Sequence, residues 1–272
     1  MNLQTKKSVN DKKVSGPFAT FLAIHFEVGG DTKDLEYQSR FWPAAAGLVE
    51  LADHYDAKLT LQFNPQWAEY ILKENNRLAL LKSWQKNGHE VALHHHGYDH
   101  RNWNGYTNRP GKSNAPGYRG RVEDMIDLVA RLAAPYKLLS GTITDEGSDH
   151  PECIKYDTEG IRIDHARSRP QRVVLGGNNA VQVGMAFLSF DGDIRRFKEE
   201  YARSEEDEVF GVVTHEYDFR KNPGMIEEWL RFIRSQGGTI KTVSDIIADY
   251  QKVFSIGRND RPLTFSDDIA VQ

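Results

Sequence analysis

A chain of 272 residues with 39% hydrophobic residues, 27% charged residues and a net charge of -4 has the make-up of a globular protein. That charge offers no general attraction for nucleic acid or anionic lipid, and no apolar run approaches the ~20 residues of a membrane span. Cys153 is the only cysteine, which excludes an internal disulfide framework and a multi-cysteine zinc site, so any metal must rest on His, Asp or Glu.

Residues Met1 to Ser15 are polar and lysine-rich without the apolar centre of an export signal. They are expected to form a disordered leader, and the location is expected to be cytoplasmic. From there, short apolar runs alternate with stretches of helical period, the pattern of β-α units feeding a parallel sheet. Strands are expected at Phe21 to Phe26, Ala57 to Phe63, Glu90 to His96, Lys137 to Thr144, Gly160 to Asp164, Val209 to His215 and Thr239 to Val243. Between them, sets such as Val122, Met125, Ile126 and Val129, or Ile226, Leu230 and Ile233, recur at helical spacing.

Two segments interrupt this rhythm. Gly97 to Gly120 is long, polar and aromatic and reads as a rim loop or lid. Arg172 to Phe190 carries Gly176, Gly177, Asn178 and Asn179 between apolar runs and reads as an inserted hairpin, with a helix following at Ile194 to Ala202. The expected fold is therefore α/β, an irregular seven-stranded parallel (β/α) barrel with an inserted hairpin over residues 16–256, followed by an irregular tail at 257–272.

In parallel α/β folds the loops at the carboxyl ends of the strands converge on one opening. The expected strands end in His25 and Glu27, in His94 to His96, in Asp145 and Glu146, in Asp164 and His165, and in His215 and Glu216. Alternation puts His94 and His96 on one face of their strand, and His100 can return from the following loop. Three imidazoles can hold a zinc-like ion and leave a position open for water.

The run Lys86-Asn87-Gly88-His89-Glu90-Val91-Ala92-Leu93-His94 resembles the second motif of the polysaccharide deacetylases, carbohydrate esterase family four, in which such a strand delivers a metal-binding histidine. His94 is the matching position. Val209 to His215 is similar to the family's late strand with its catalytic histidine, and Trp229 to Ile247 is similar to its closing elements. The resemblance covers approximately Pro17 to Tyr250, and it departs from the family pattern in three places. Glu27 stands at the base position of the first motif, but Val28 stands where the next aspartate would bind metal. Tyr98 occupies the place of the family's second histidine, four residues after His94, so the partner must be His96 or His100. The Arg-x-Pro third motif is replaced by Leu139-Ser140-Gly141-Thr142-Ile143-Thr144.

What the resemblance implies is hydrolysis of an acyl group, N- or O-acetyl, from a carbohydrate. A divalent metal, expected to be zinc, would rest on His94, His96 and His100, with Glu27 as base and His215 as acid. His25, Trp103, Tyr106, Asp145 and Asp164 are the candidate substrate contacts, the aromatic rings suiting sugar faces. Two other functions suit the same residues: a glycan-binding barrel without turnover, and an amidohydrolase acting on a small non-sugar C-N bond. A carbohydrate or other small molecule is the expected partner, nucleic acid and membrane are not, and the oligomeric state stays open.

Overall fold

Side chains along a strand point alternately to its two faces, so in a curled sheet every second residue enters the interior and the others meet the surrounding helices. The computed structural model describes residues 16–27, 35–144 and 149–254, and that alternation organises all of them. The expected leader, the tail at 257–272 and Asp145 lie outside the described residues.

The first half of the chain runs through β1 (Ala19–Phe26), α1 (Leu35–His54), β2 (Thr60–Phe63), α2 (Pro65–Leu72), α3 (Asn75–Lys86), β3 (Glu90–His95), α4 (Val122–Ala133) and β4 (Ser140–Ile143). There follow β5 (Tyr156–Glu159), a short 3-10 turn at Ile163–His165, β6 (Arg167–Ser168), β7 (Gln171–Leu175), β8 (Asn178–Gly184) and β9 (Ala186–Phe187). The chain then passes through α5 (Ile194–Ala202), β10 (Val209–His215), α6 (Glu216–Lys221), α7 (Pro223–Ser235) and α8 (Val243–Val253).

The strands form one sheet in the order β6-β10-β1-β2-β3-β4-β5-β8-β7, parallel except where β6 and β7 join its edges. The sheet curls because β8 pairs with β5 and the chain running on from it, as β9, pairs with β10 at the far side. At that meeting point a Cβ on Gly211 would run into the carbonyl oxygen of Gly184 and the ring of Phe21, so the approach requires glycine.

Outward residues such as Leu22, Ile24, Phe26, Leu61, Phe63, Phe210 and Val212 pack with the helices in the main core. Inward residues Phe21, Ala23, Val183, Val209 and Val213 meet Val243, Ile246 and Ile247 of α8, which closes the end of the barrel where the strands begin. Among the described residues no helix is long and apolar enough to cross a membrane.

Two of the expected strands are corrected. The fifth lies at Tyr156–Glu159, and Gly160 to Asp164 instead turns away through the 3-10 segment, with Gly160 at a φ of 95° that extended chain does not adopt. The seventh is reduced to a single bridge between Ile240 and Thr20, because the side chain of Thr242 accepts from the backbone N-H of Asp245 and starts α8. The inserted hairpin is present as β7 and β8, turning at Gly176 and Gly177, both at positive φ.

Candidate functional site

Three strands carry their inward residues up to one opening. In β1 the inward series Phe21, Ala23 and His25 continues to Glu27; in β10 Val209, Gly211 and Val213 lead to His215; in β3 Glu90 and Ala92 lead to His94 and then His96. The pairing of His25 with His215 in register puts two of these ends side by side. His25, His96 and His215 are each 7% exposed and His94 1%, so the four rings are held nearly out of water.

The ligand atoms of Glu27, His94 and His96 all lie within 4.8 Å of one another, as do those of His25, Glu27 and His215. Nε2 of His94 and Nε2 of His96 face each other at 3.0 Å. Glu27 Oε2 stands 3.5 Å from the His96 nitrogen and 3.9 Å from the His94 nitrogen, is buried, and accepts no hydrogen bond from the described residues. The other carboxylate oxygen, Oε1, lies 2.5 Å from Nε2 of His215, whose Nδ1 is 3.0 Å from Asp218 Oδ2.

Burial, followed by the neighbouring charge of His215, lowers the pKa of His25 to about 3, and burial lowers that of His96 to about 4 and holds that of His94 well below the usual range. Burial would lower His215 too, but its hydrogen bonds to Asp218 and Glu27 and the charge of Glu27 outweigh it and raise the pKa to about 9. Burial would raise Glu27, yet the hydrogen bond and charge of His215 hold it down to about 2. The metal-free chain thus keeps one proton between His215 and Glu27 and leaves the other three imidazoles neutral. Two neutral imidazole nitrogens and an ionised, unpartnered carboxylate oxygen are a donor set that suits a zinc-like divalent cation.

His96 is oriented for this, because its Nδ1 lies 3.2 Å from the carbonyl oxygen of Asn102 and so carries the proton, leaving the lone pair on Nε2. His95, on the opposite face of β3, points away from the opening, its Nδ1 3.1 Å from Asn104 Oδ1. The rim loop is tied down: Gln66 donates to the Asn104 carbonyl, Arg119 N-H to that of Gly105, and Thr107 N-H to that of Gly120.

The remaining expected site residues are placed differently from one another. His100 brings no nitrogen to either ligand group; its N-H bonds back to Gly97 in a tight turn, its ring packs on His96 at 4.0 Å between centroids, and its Nδ1 accepts the N-H of Asn102. Trp103 is half-buried with its indole N-H on the carbonyl of Tyr106, and Tyr106 is buried in the main core, so neither lies open as a sugar platform. Asp164 sits on the surface in an ion pair with Arg162, in a 3-10 turn and not at a strand end as expected. Asp145 cannot be placed, lying outside the described residues.

Several site residues escaped the sequence reading. Asp218 holds His215 from the first turn of α6, and the i, i+3 spacing at a strand-to-helix junction was the available signal. Tyr217 stacks on the His215 ring at 4.5 Å and Phe187 meets its edge at 4.8 Å, so aromatic walls flank that ring. Glu216, already expected at the end of its strand, is fully buried and accepts the hydroxyl of Tyr37, and burial raises its pKa to about 8.

No family model and no curated protein matches the sequence. Solved structures do match in fold. A protein designated a polysaccharide deacetylase from Mycobacterium smegmatis superposes with a TM-score of 0.54 at 12% identity, covering 94% of this chain and 97% of that one. The Puue allantoinase superposes with a TM-score of 0.56 at 13% identity, covering 91% and 93%. A 4-alpha-glucanotransferase from Thermococcus litoralis gives 0.51 at 15% identity, with 85% of this chain covering 40% of that larger one. At these identities the likeness is one of fold: the chain has the curled α/β sheet of deacetylase-type barrels.

Proposed function

We propose that the chain is a metal-dependent hydrolase that removes an acyl group, N- or O-acetyl, from a carbohydrate substrate. The observation that carries this reading is the buried Glu27 Oε2, without a hydrogen-bond partner among the described residues and facing two imidazole nitrogens 3.0 Å apart. A buried ionised oxygen left in that state is costly unless a cation completes it. Glu27, His94 and His96 would hold the ion, in place of the set of three histidines expected from spacing. When bound, a divalent cation supplies Lewis acidity to a carbonyl and to water.

The chain's own part is the handling of the proton. His215 keeps Nδ1-H on Asp218 and directs Nε2 to the opening, where it can pass a proton to a leaving amine or alcohol and recover one afterwards. Glu27 orients that nitrogen through Oε1 and so serves both halves of the site. The rings of Tyr217 and Phe187 shield the His215 imidazole from water.

Those same walls favour a second reading, in which a small planar amide is cleaved instead of an acetylated sugar, as the fold likeness to an allantoinase also suggests. One experiment tests both. Elemental analysis of the purified chain is expected to find about one zinc-like ion, lost in His94→Ala and lowered in Glu27→Gln. Acetate release from a panel of acetylated sugars supports the first reading, and ammonia or amine release from small cyclic and linear amides the second. Absence of metal after zinc loading would overturn both. Bound metal with no turnover on either panel would leave a binding barrel.

A further inference from the structure

Beneath the opening lies a set of buried polar side chains that the proposed chemistry does not use. Gln62 of β2 and Thr158 of β5 are 0% exposed, Thr142 of β4 is 6% exposed, and all three point inward below His25. Gln62 Nε2-H donates to Thr158 Oγ1 at 2.9 Å, Thr142 and Thr158 hydroxyls lie 2.6 Å apart, and Thr142 O-H donates to Gln62 Oε1 at 3.0 Å. His25 Nε2 stands 3.4 Å from Thr142 Oγ1.

With the Gln62 carbonyl oxygen toward Thr142, counting protons closes these bonds into one ring. The Gln62 amide gives one proton to Thr158, Thr158 gives its own to Thr142, and Thr142 gives its own to the Gln62 carbonyl oxygen. That is a closed ring in which each group donates once, so the bonds reinforce one another. Sending the Thr142 proton to His25 instead would exchange a 3.0 Å bond for one of 3.4 Å and strand the Gln62 oxygen. If Thr158 turns its hydroxyl to the Gly141 carbonyl at 3.2 Å, the Thr142 proton is still spent on an oxygen. With the Gln62 carbonyl oxygen facing Thr142, both of these arrangements offer His25 only lone pairs, and Gln62 is itself an acceptor for the His25 N-H.

We propose that Gln62, Thr142 and Thr158 are positioning residues that fix His25 as the Nε2-H tautomer, so that His25 meets its site only as an acceptor, through Nδ1. The plan then matches that of two neighbours. His96 spends its remote N-H on the Asn102 carbonyl and His215 spends its own on Asp218. Each ring thereby commits one nitrogen to a fixed partner in the protein, and His215 commits its second to Glu27 as well. For His25, whose ring lies 4.1 Å from that of His94 and 5.5 Å from that of His215, the preset nitrogen accepts an N-H or O-H of whatever enters and cannot donate one. The inference holds whether or not the hydrolase reading does, since it concerns the resting chain.

The test is a long-range proton-nitrogen correlation spectrum of the metal-free, full-length protein with labelled histidines, which reports the tautomer of each ring directly. Wild type is expected to show His25 as a single Nε2-H tautomer. Thr158→Ser, which keeps every donor and acceptor of the ring, is expected to match it. Thr142→Val together with Gln62→Leu removes both side-chain acceptors near His25 Nε2 and is expected to turn His25 into a mixture of tautomers; Thr142→Val alone is the second variant should the first not fold. A wild-type His25 that carries its proton on Nδ1, or that is an imidazolium at neutral pH, would overturn the proposal. So would a single, unchanged Nε2-H tautomer in the folded variant that lacks the Thr142 hydroxyl.

Discussion

Two buried carboxylates sit at opposite ends of the barrel, and their surroundings differ in kind. Glu90, at the start of β3, accepts from the hydroxyls of Thr60, Ser140 and Ser244 and from the backbone N-H of Ser244, so both its oxygens are satisfied. Glu27, at the end of β1, has one oxygen on His215 and the other without a hydrogen bond from the described residues. Burial raises the pKa of the first, while the second is held low by a cationic partner. The lesson is that a closed network ties strands and α8 together, whereas a network one bond short leaves a position for something the chain itself does not supply. Glu90 belongs to folding and Glu27 to chemistry.

That contrast breaks first at Glu27. Glu27→Gln is expected to lower hydrolysis by roughly 10²- to 10⁴-fold, the range for a group that governs proton transfer, with near-normal far-ultraviolet circular dichroism. A fully active variant would move the chemistry elsewhere in the barrel. At the other end, Glu90→Ala is expected to cost roughly 3 kcal/mol or more in urea unfolding, since it strands three hydroxyls and an N-H and opens a cavity. Its zinc content should be unchanged; if metal falls along with stability, the two ends are not separable.

The outer half of the barrel was easy to read from the sequence and the inner half was not. Residues facing the helices, such as Leu22, Ile24, Phe210 and Val212, make the apolar runs by which β1 and β10 are recognised. The strand at Tyr156–Glu159 reads Tyr-Asp-Thr-Glu and shows no such run, because Thr158 faces a polar interior and Asp157 meets Gln182. The alternation of Ile161 and Ile163 nearby imitates a strand, yet Ile161 is 63% exposed. In the site, the residues on strands followed from alternation, whereas those on loops did not. The return of His100 depended on the path of a turn, and spacing alone carries no information about that path. Asp218 and the ring of Gln62, Thr142 and Thr158 are contacts between elements distant in sequence or at a junction, which no local pattern announces.

A smaller effect tests whether His215 draws its behaviour from both partners. Asp218→Asn is expected to reduce activity about 10- to 100-fold, as loss of an outer partner that orients an imidazole does, and to leave zinc in place. The alkaline fall of the pH-rate profile should move to lower pH, because Asp218 is the first of the groups that raise His215. An unshifted profile would mean that Glu27 alone sets the proton on His215.

The smallest expected effect is on stability, and its sign follows from the same pair. His215 has its pKa raised from 6.5 to about 9, so the folded chain holds a proton there that the unfolded chain releases earlier. Its contribution is complete below pH 6.5 and is lost as pH rises through about 9. Glu216, raised from 4.5 to about 8, acts in the same direction over the lower part of that range. Glu27, lowered from 4.5 to about 2, contributes fully above pH 4.5 and so changes nothing on the alkaline side. Protein stripped of metal should therefore melt lower at pH 9 than at pH 6.5, by about 2 to 4 °C for each kcal/mol lost. In Glu27→Gln the drop should be shallower, because His215 has then lost one of the two groups that hold its proton. A melting temperature that is level or rising from pH 6.5 to 9 would show that the proton is not shared at this end of the barrel, and that the Glu27 carboxylate is met by some other charge.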